Sequence, residues 1–253
     1  MFRHAITRLP CRALVRGLTT ADLGVPDVDL ALAQHGAYVA ALRACGVDVT
    51  VLDADEALPD SVFIEDSAIC TSRCAVLIRP GAPSRRDEPR GVEPVLQSHY
   101  AAIEHMTAPG TMDGGDVMMV GTHFYVGLSA RTNPAGAEQL IAILERYGFT
   151  GSIVTTGDAL HLKTGMAYLE NGNLLAVESQ CRRPEWRGFN VVRVPDMEAY
   201  AANSVWINGK VVMPAGFPET QAAVERLGYQ VLPVDTFEFR KLDGGVSCLS
   251  LRF

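Results

Sequence analysis

The stretch Met166-Ala167-Tyr168-Leu169-Glu170-Asn171-Gly172-Asn173-Leu174-Leu175-Ala176-Val177 decides how this chain folds. Two short apolar runs, 166–170 and 173–177, meet at Asn-Gly. Both turn residues tolerate positive φ, so the pair predicts a tight antiparallel hairpin. The same device recurs. Asn208-Gly209 separates 205–207 from 210–213, Gly121-Thr122-His123 separates 117–120 from 124–127, and Thr71-Ser72-Arg73 separates 68–70 from 75–78. The first strands begin near residues 67, 117, 166 and 204, so the unit repeats every 38 to 50 residues.

Helices are expected between the hairpins. Asn133-Pro134 opens one as N-cap and first helical residue, and Gly148 closes it. A second runs from Pro218 to Gly228. A third runs from Asp27 to Gly46, with Ala31, Tyr38, Leu42 and Cys45 on one face. Each precedes a short strand, at 152–155, 230–234 and 47–52. The unit therefore reads strand, strand, helix, strand. A fifth copy is split, with its first strand at 248–253 and the partner at 2–7. Pairing the two would close a ring and leave no open sheet edge. The expected fold class is thus α/β, a five-bladed pseudo-symmetric propeller closed by its terminal strands and formed by residues 1–253 as one catalytic domain. An open parallel α/β sheet fits less well, because each Asn-Gly hairpin requires antiparallel neighbours.

A polar or reactive residue precedes each first strand: Glu65 and Asp66, Asp113 and Asp116, His161, Asn203, and Cys248. In a closed ring these positions lie at one end of the axis, so residues distant in sequence converge. Alone, each has a plainer reading as a buried thiol, a structural histidine, a turn or a solvated acidic pair. Their common phase favours chemistry. Cys248 is a nucleophile once it becomes a thiolate. His161 can protonate a leaving group and later take a proton from water. Asp113 can orient His161, and Glu65 and Asp66 can pair with a planar cation through parallel hydrogen bonds. Carboxylates around Cys248 would raise its pKa, and a bound cation would offset them. The set describes a site for a guanidinium or amidinium, and it disfavours peptide cleavage.

Bulk properties agree. The chain has 253 residues and a formal net charge of −7, with no long basic run, which speaks against nucleic acid as a partner. No apolar run approaches the roughly 20 residues needed to cross a bilayer, so no membrane role is expected. Residues 1–21 lack acids and carry Arg3, Arg8, Arg12 and Arg16, a composition shared with transit peptides, but 2–7 is needed as a strand. Six scattered cysteines fit reduced thiols in the cytoplasm. Cys70 and Cys74 lack a matching metal-ligand pair nearby and read as strand residues.

Phe63-Ile64-Glu65-Asp66, Met112-Asp113-Gly114-Gly115-Asp116, His161-Leu162-Lys163-Thr164-Gly165 and Gly244-Gly245-Val246-Ser247-Cys248 resemble, in order and spacing, the motifs of the guanidino-group-modifying enzymes. The nearest likeness is to the dimethylarginine dimethylaminohydrolase family, and it runs from the Leu18 region to Phe253. The resemblance implies a five-bladed α/β propeller, the pentein fold, and hydrolysis of Nω-methylated arginines to citrulline and a methylamine. It implies that Cys248 forms a covalent thiouronium, that His161 is acid and then base, and that Asp113 supports His161. It further implies that Asp60, Glu65 and Asp66 hold the cationic end and that Phe63 walls the pocket. Arg85 and Arg131 would grip the α-carboxylate, and the carbonyls of Leu18 and Leu242 the α-amine. A lid over 17–24 is also implied. No metal or organic cofactor is needed for this chemistry, the partner is a small cationic amino acid, and a homodimer is compatible with it.

Related arginine and agmatine deiminases carry His-x-Asp where this chain has His161-Leu162-Lys163. Without that second acceptor, N-methyl groups fit and unsubstituted N–H groups lose a partner. Methylarginine hydrolysis is therefore expected ahead of deimination. An amidinotransferase is disfavoured by length, and a noncatalytic propeller by the presence of both Cys248 and His161.

Overall fold

The computed structural model describes residues 1–157 and 159–253. Five three-stranded sheets stand around a common axis. The first holds Leu251–Arg252, His4–Arg8 and Asp48–Leu52. The second holds Ala68–Cys70, Ala75–Leu77 and Ile103–His105. The third holds Val117–Val120, His123–Leu128 and Thr150–Thr155. The fourth holds Met166–Tyr168, Asn173–Val177 and Asn190–Val194, and the fifth Val205–Ile207, Lys210–Pro214 and Gln230–Val234. In every sheet the first pair is antiparallel and the third strand joins in parallel. The parallel step follows from the intervening helix, which carries the chain back to the starting side.

The hairpins form for the expected reason. Asn171 and Gly172 have φ of 53° and 77°, and Asn208 and Gly209 have 50° and 89°. The helix signals hold as well. Asp27 accepts from the amides of Asp29 and Leu30 and caps the Val28–Ala44 helix, and Asn133 accepts from Gly136 and caps Pro134–Arg146. The ring closes where the split fifth copy requires: Ala5 pairs with Arg252 and Ile6 with Leu251. That closing strand is shorter than expected, because residues 247–249 are coiled into a 3₁₀ turn. The second and fourth sheets use brief helices, Glu93–Gln97 and Glu178–Cys181, which carry too few turns to show a periodic pattern.

Apolar cores fill the space between helices and sheets and between neighbouring sheets. Ala31, Tyr38 and Leu42 of the long first helix are fully buried against Val49, Val62 and Phe239. Burying side chains of this size contributes roughly 1.5–3 kcal/mol each. Among the described residues, no helix is long and apolar enough to cross a membrane.

Candidate active site

The shared phase seen in the sequence has a physical form. A 3₁₀ turn precedes each first strand: Ile64–Ser67, Gly114–Asp116, Leu162–Thr164, Asp196–Ala202 and Ser247–Leu249. A 3₁₀ turn bends the chain sharply at the axis and aims one or two side chains inward. These turns pack closely. A Cβ on Gly114 would lie 2.0 Å from the carbonyl oxygen of Glu65, and one on Gly115 would lie 2.7 Å from Nδ1 of His161. Only glycine permits this approach.

Cys248 and His161 line one cleft together with Leu18, Asp60, Phe63, Asp66, Arg85, Arg131 and Leu242. Asp113 is wholly buried behind His161. Its Oδ2 lies 3.1 Å from His161 Nε2, and its Oδ1 accepts from the Gly81 amide at 2.8 Å. Burial opposes protonation of His161, but the Asp113 hydrogen bond and the charges of Asp66 and Asp116 outweigh it and hold its pKa above the ordinary value. Burial pushes the Cys248 thiol up to about 12, with Glu65 and Asp66 adding to the rise. The Gly245 amide, 3.4 Å from Sγ, and the Lys163 ammonium work the other way. The free site therefore holds a thiol beside a readily protonated imidazole.

Asp60 and Asp66 give the cleft its negative charge. Burial raises the pKa of Asp60, against the pull of Arg85, while its Oδ1 accepts from the Leu18 amide at 2.9 Å. Burial also opposes ionisation of Asp66, yet Arg85, His161 and the Gly115 amide together hold its carboxyl below the usual range. Arg131 keeps its guanidinium partly exposed, with Nη1 3.6 Å from Asp113 Oδ2.

Two expectations need correction. Arg85 is not free for a two-pronged grip on a carboxylate. It is 5% exposed, donates Nη1 to Asp66 at 2.6 Å, and gives Nε and Nη2 to Glu88, with Nη2 also reaching the Phe63 carbonyl at 3.0 Å. One N–H remains for the cleft. Glu65, expected at the cationic end, does not line the cleft. Its carboxylate accepts from Lys163 at 2.5 Å, Arg252 at 3.0 Å and Ser247 at 3.0 Å. Lys163 is thus more than a missing acceptor: it closes an ion-pair layer beneath the site.

Sequence reading assigned no task to several neighbours. Asp116 accepts from Ser129, Thr132 and the Leu162 amide, and so fixes the residue after His161. Asn203 accepts from the Ser247 amide and donates to the Lys163 carbonyl and Ser247 Oγ, joining the histidine and cysteine turns. Asp243, at φ 58°, accepts from the amide and hydroxyl of Thr20 and ties the 17–25 segment over the cleft. Asp116 and Asn203 were visible only as members of the repeat phase; Asp243 carried no signal. Asp66, Asp113 and His161 offer ligand atoms within 4.8 Å of one another, a spacing a cation would accept. Arg85 and Arg131 already bring positive charge to those carboxylates.

A ring of five strand-strand-helix-strand units with a Cys–His pair and buried carboxylates at one end of its axis defines the guanidino-group-modifying class of pentein proteins. Comparison narrows the class. Residues 27–183 match the family model described as N,N dimethylarginine dimethylhydrolase, eukaryotic. The chain is 56% identical to the N(G),N(G)-dimethylarginine dimethylaminohydrolase of Pseudomonas aeruginosa, with 100% of both chains covered. It is 37% identical to that of Streptomyces coelicolor, over 99% of this chain and 96% of the relative. A solved structure of the P. aeruginosa protein, a Cys-to-Ser variant complexed with citrulline, superposes with a TM-score of 0.99 at 55% identity over the whole of both chains. The chain belongs to the dimethylarginine dimethylaminohydrolase family.

Proposed function

We propose that the protein hydrolyses Nω-methylated arginines to citrulline and dimethylamine or methylamine, with residues 1–253 acting as one catalytic domain. The observation that carries this is the cleft that Cys248 and His161 line together with the carboxylates of Asp60 and Asp66 and the guanidinium of Arg131. That arrangement suits a zwitterionic amino acid with a cationic side chain. Arg131 takes the α-carboxylate, with Arg85 adding its one remaining N–H. The carbonyls of Leu18 and Leu242 receive the α-amine, Phe63 walls the side chain, and Asp60 and Asp66 hold the guanidinium.

Binding the cation offsets the carboxylates that raise the Cys248 pKa, and the thiol proton passes to solvent. The thiolate attacks the guanidinium carbon, and the C=N π pair moves onto nitrogen. His161 then donates its proton to the substituted nitrogen, the C–N pair leaves with it, and a neutral amine departs. A thiouronium remains on Cys248. His161 removes a proton from water as the oxygen bonds to carbon, the S–C bond breaks towards sulfur, and loss of the last proton gives citrulline. Asp113 keeps the imidazole oriented and cationic through the first half. The chemistry runs on side chains alone, and six free thiols fit a cytoplasmic setting.

The test is turnover of asymmetric dimethylarginine, monomethylarginine, arginine and agmatine side by side, with quantified citrulline or carbamoylputrescine, amines and ammonia. The methylated compounds should lead in kcat/KM. A lead for arginine or agmatine would instead establish a deiminase.

A further inference from the structure

A second, smaller cavity adjoins the first. Cys248 and His161 form part of both. Its walls include Gly115, Lys163, Tyr200, Asn203, Gly245 and Ser247, with the exposed Thr164 at the rim. Its volume is about 30 Å³. One water-sized group needs roughly 10–15 Å³, so there is room for about two.

The walls look polar by residue type, yet most of their side-chain hydrogen-bonding groups are engaged elsewhere. Asn203 gives Oδ1 to the Ser247 amide and Nδ2 to the Lys163 carbonyl and Ser247 Oγ. Ser247 Oγ donates to Glu65, and Lys163 Nζ is held by the same carboxylate. Asp243, which borders both cavities, spends Oδ2 on the amide and hydroxyl of Thr20, so Oδ1 is the carboxylate acceptor this wall keeps. The Tyr200 hydroxyl reaches the Gly244 carbonyl at 2.8 Å, so the ring is what it offers. A guanidinium N–H placed here would find few acceptors, at the cost of an unmade buried hydrogen bond. A methyl group loses nothing.

We infer that this cavity receives the substituted nitrogen of the guanidinium, seats its N-alkyl groups, and holds the departing amine, with Tyr200 setting the largest group admitted. The inference rests on the methylarginine reading above and adds to it where the methyl groups lie and what limits them. The position agrees with the chemistry. The nitrogen that leaves must border both the carbon attacked by Cys248 and the proton on His161. The C–N pair goes to that nitrogen, which takes its proton from His161, so a neutral amine occupies the cavity and then clears it past Thr164. Lys163 acts on specificity through this wall: it turns towards Glu65, and the cavity gains no acceptor.

The experiment is a size series of Nω-methyl, Nω,Nω-dimethyl, Nω-ethyl and Nω-propyl arginine. With the unaltered protein, kcat/KM for the propyl compound should fall about 100-fold below that for the methyl compound, in keeping with the roughly 10- to 200-fold that one methylene commands in a fitted pocket. Tyr200→Ala should raise the propyl-to-methyl ratio at least tenfold. Tyr200→Phe keeps the ring and loses only the hydroxyl's bonds to the Gly244 carbonyl and to Thr236, so it should leave the ratio within threefold. Propyl turnover within tenfold of methyl in the unaltered protein would overturn the inference, and this result requires no variant to fold. So would an unmoved ratio in a Tyr200→Ala protein that still hydrolyses methylarginine, or an equal rise in Tyr200→Phe. Absence of methylarginine turnover in the unaltered protein would instead reject the proposed function itself.

Discussion

Cys248 is protonated in the free protein because burial and the carboxylates of Glu65 and Asp66 all disfavour a thiolate, pushing its pKa up to about 12. Alkylation by neutral iodoacetamide should therefore climb about tenfold per pH unit through the range where an ordinary thiol, with a pKa of about 8.5, levels off. A cationic ligand that leaves Sγ accessible should lower that profile; a plateau by pH ~9 without ligand would show that the carboxylates do not govern the thiol. Asp113 acts on the partner. It holds the His161 pKa up, so Asp113→Asn should lower it and move the pH at which protonated His161 is lost towards acid, with kcat down roughly 10²-fold. An unmoved profile in the Asp113→Asn variant would mean that Asp113 positions nothing that titrates. At this scale the sequence revealed partners better than directions. His161 and Asp113 share a phase, and they meet. Glu65 and Asp66 are adjacent, yet one faces the cleft and the other an ion-pair layer, a difference set by the local 3₁₀ bend. Arg85 sits in a polar run, and contacts with Asp66 and the Phe63 carbonyl, 19 and 22 residues earlier, hold it inside together with Glu88.

The five 3₁₀ turns are the elements that make the site, and glycine lets them approach. A methyl on Gly114 would meet the Glu65 backbone, which cannot swing aside as a side chain would. Gly114→Ala should cost roughly 1–3 kcal/mol, or more if the turns cannot separate, and a urea midpoint close to that of the unaltered protein would contradict this. Hairpins were legible because Asn-Gly turns and alternating apolar runs are local. The 3₁₀ turns were not, since coils of three to seven residues are too short to show a period. The Glu93–Gln97 helix escaped for the same reason.

Over the whole molecule, pH acts through a buried histidine remote from the chemistry. His35 on the first helix is 1% exposed, its Nε2 has no partner among the described residues, and burial lowers its pKa to about 4. Its unfolded value is 6.5, so between pH 6.5 and 4 the unfolded chain binds a proton that the folded one refuses. The stability contributed is complete above pH 6.5 and is lost as pH falls towards 4, by about 3 kcal/mol. His35→Gln should flatten the urea midpoint over this window, and an equally steep decline in the variant would place the acid sensitivity elsewhere. Ring architecture itself was readable, because a split fifth unit left the first and last strands without other partners.

That closure has a consequence for the order of the chain. Residues 4–8 and 251–252 lie in one sheet as neighbours, so the numbering starts at an arbitrary point on a circle. A circular permutant, joined by a short linker between Phe253 and Met1 and opened at Asn171-Gly172, would visit the blades in the same cyclic succession. Such a chain should fold and retain turnover, with the nucleophile now mid-sequence.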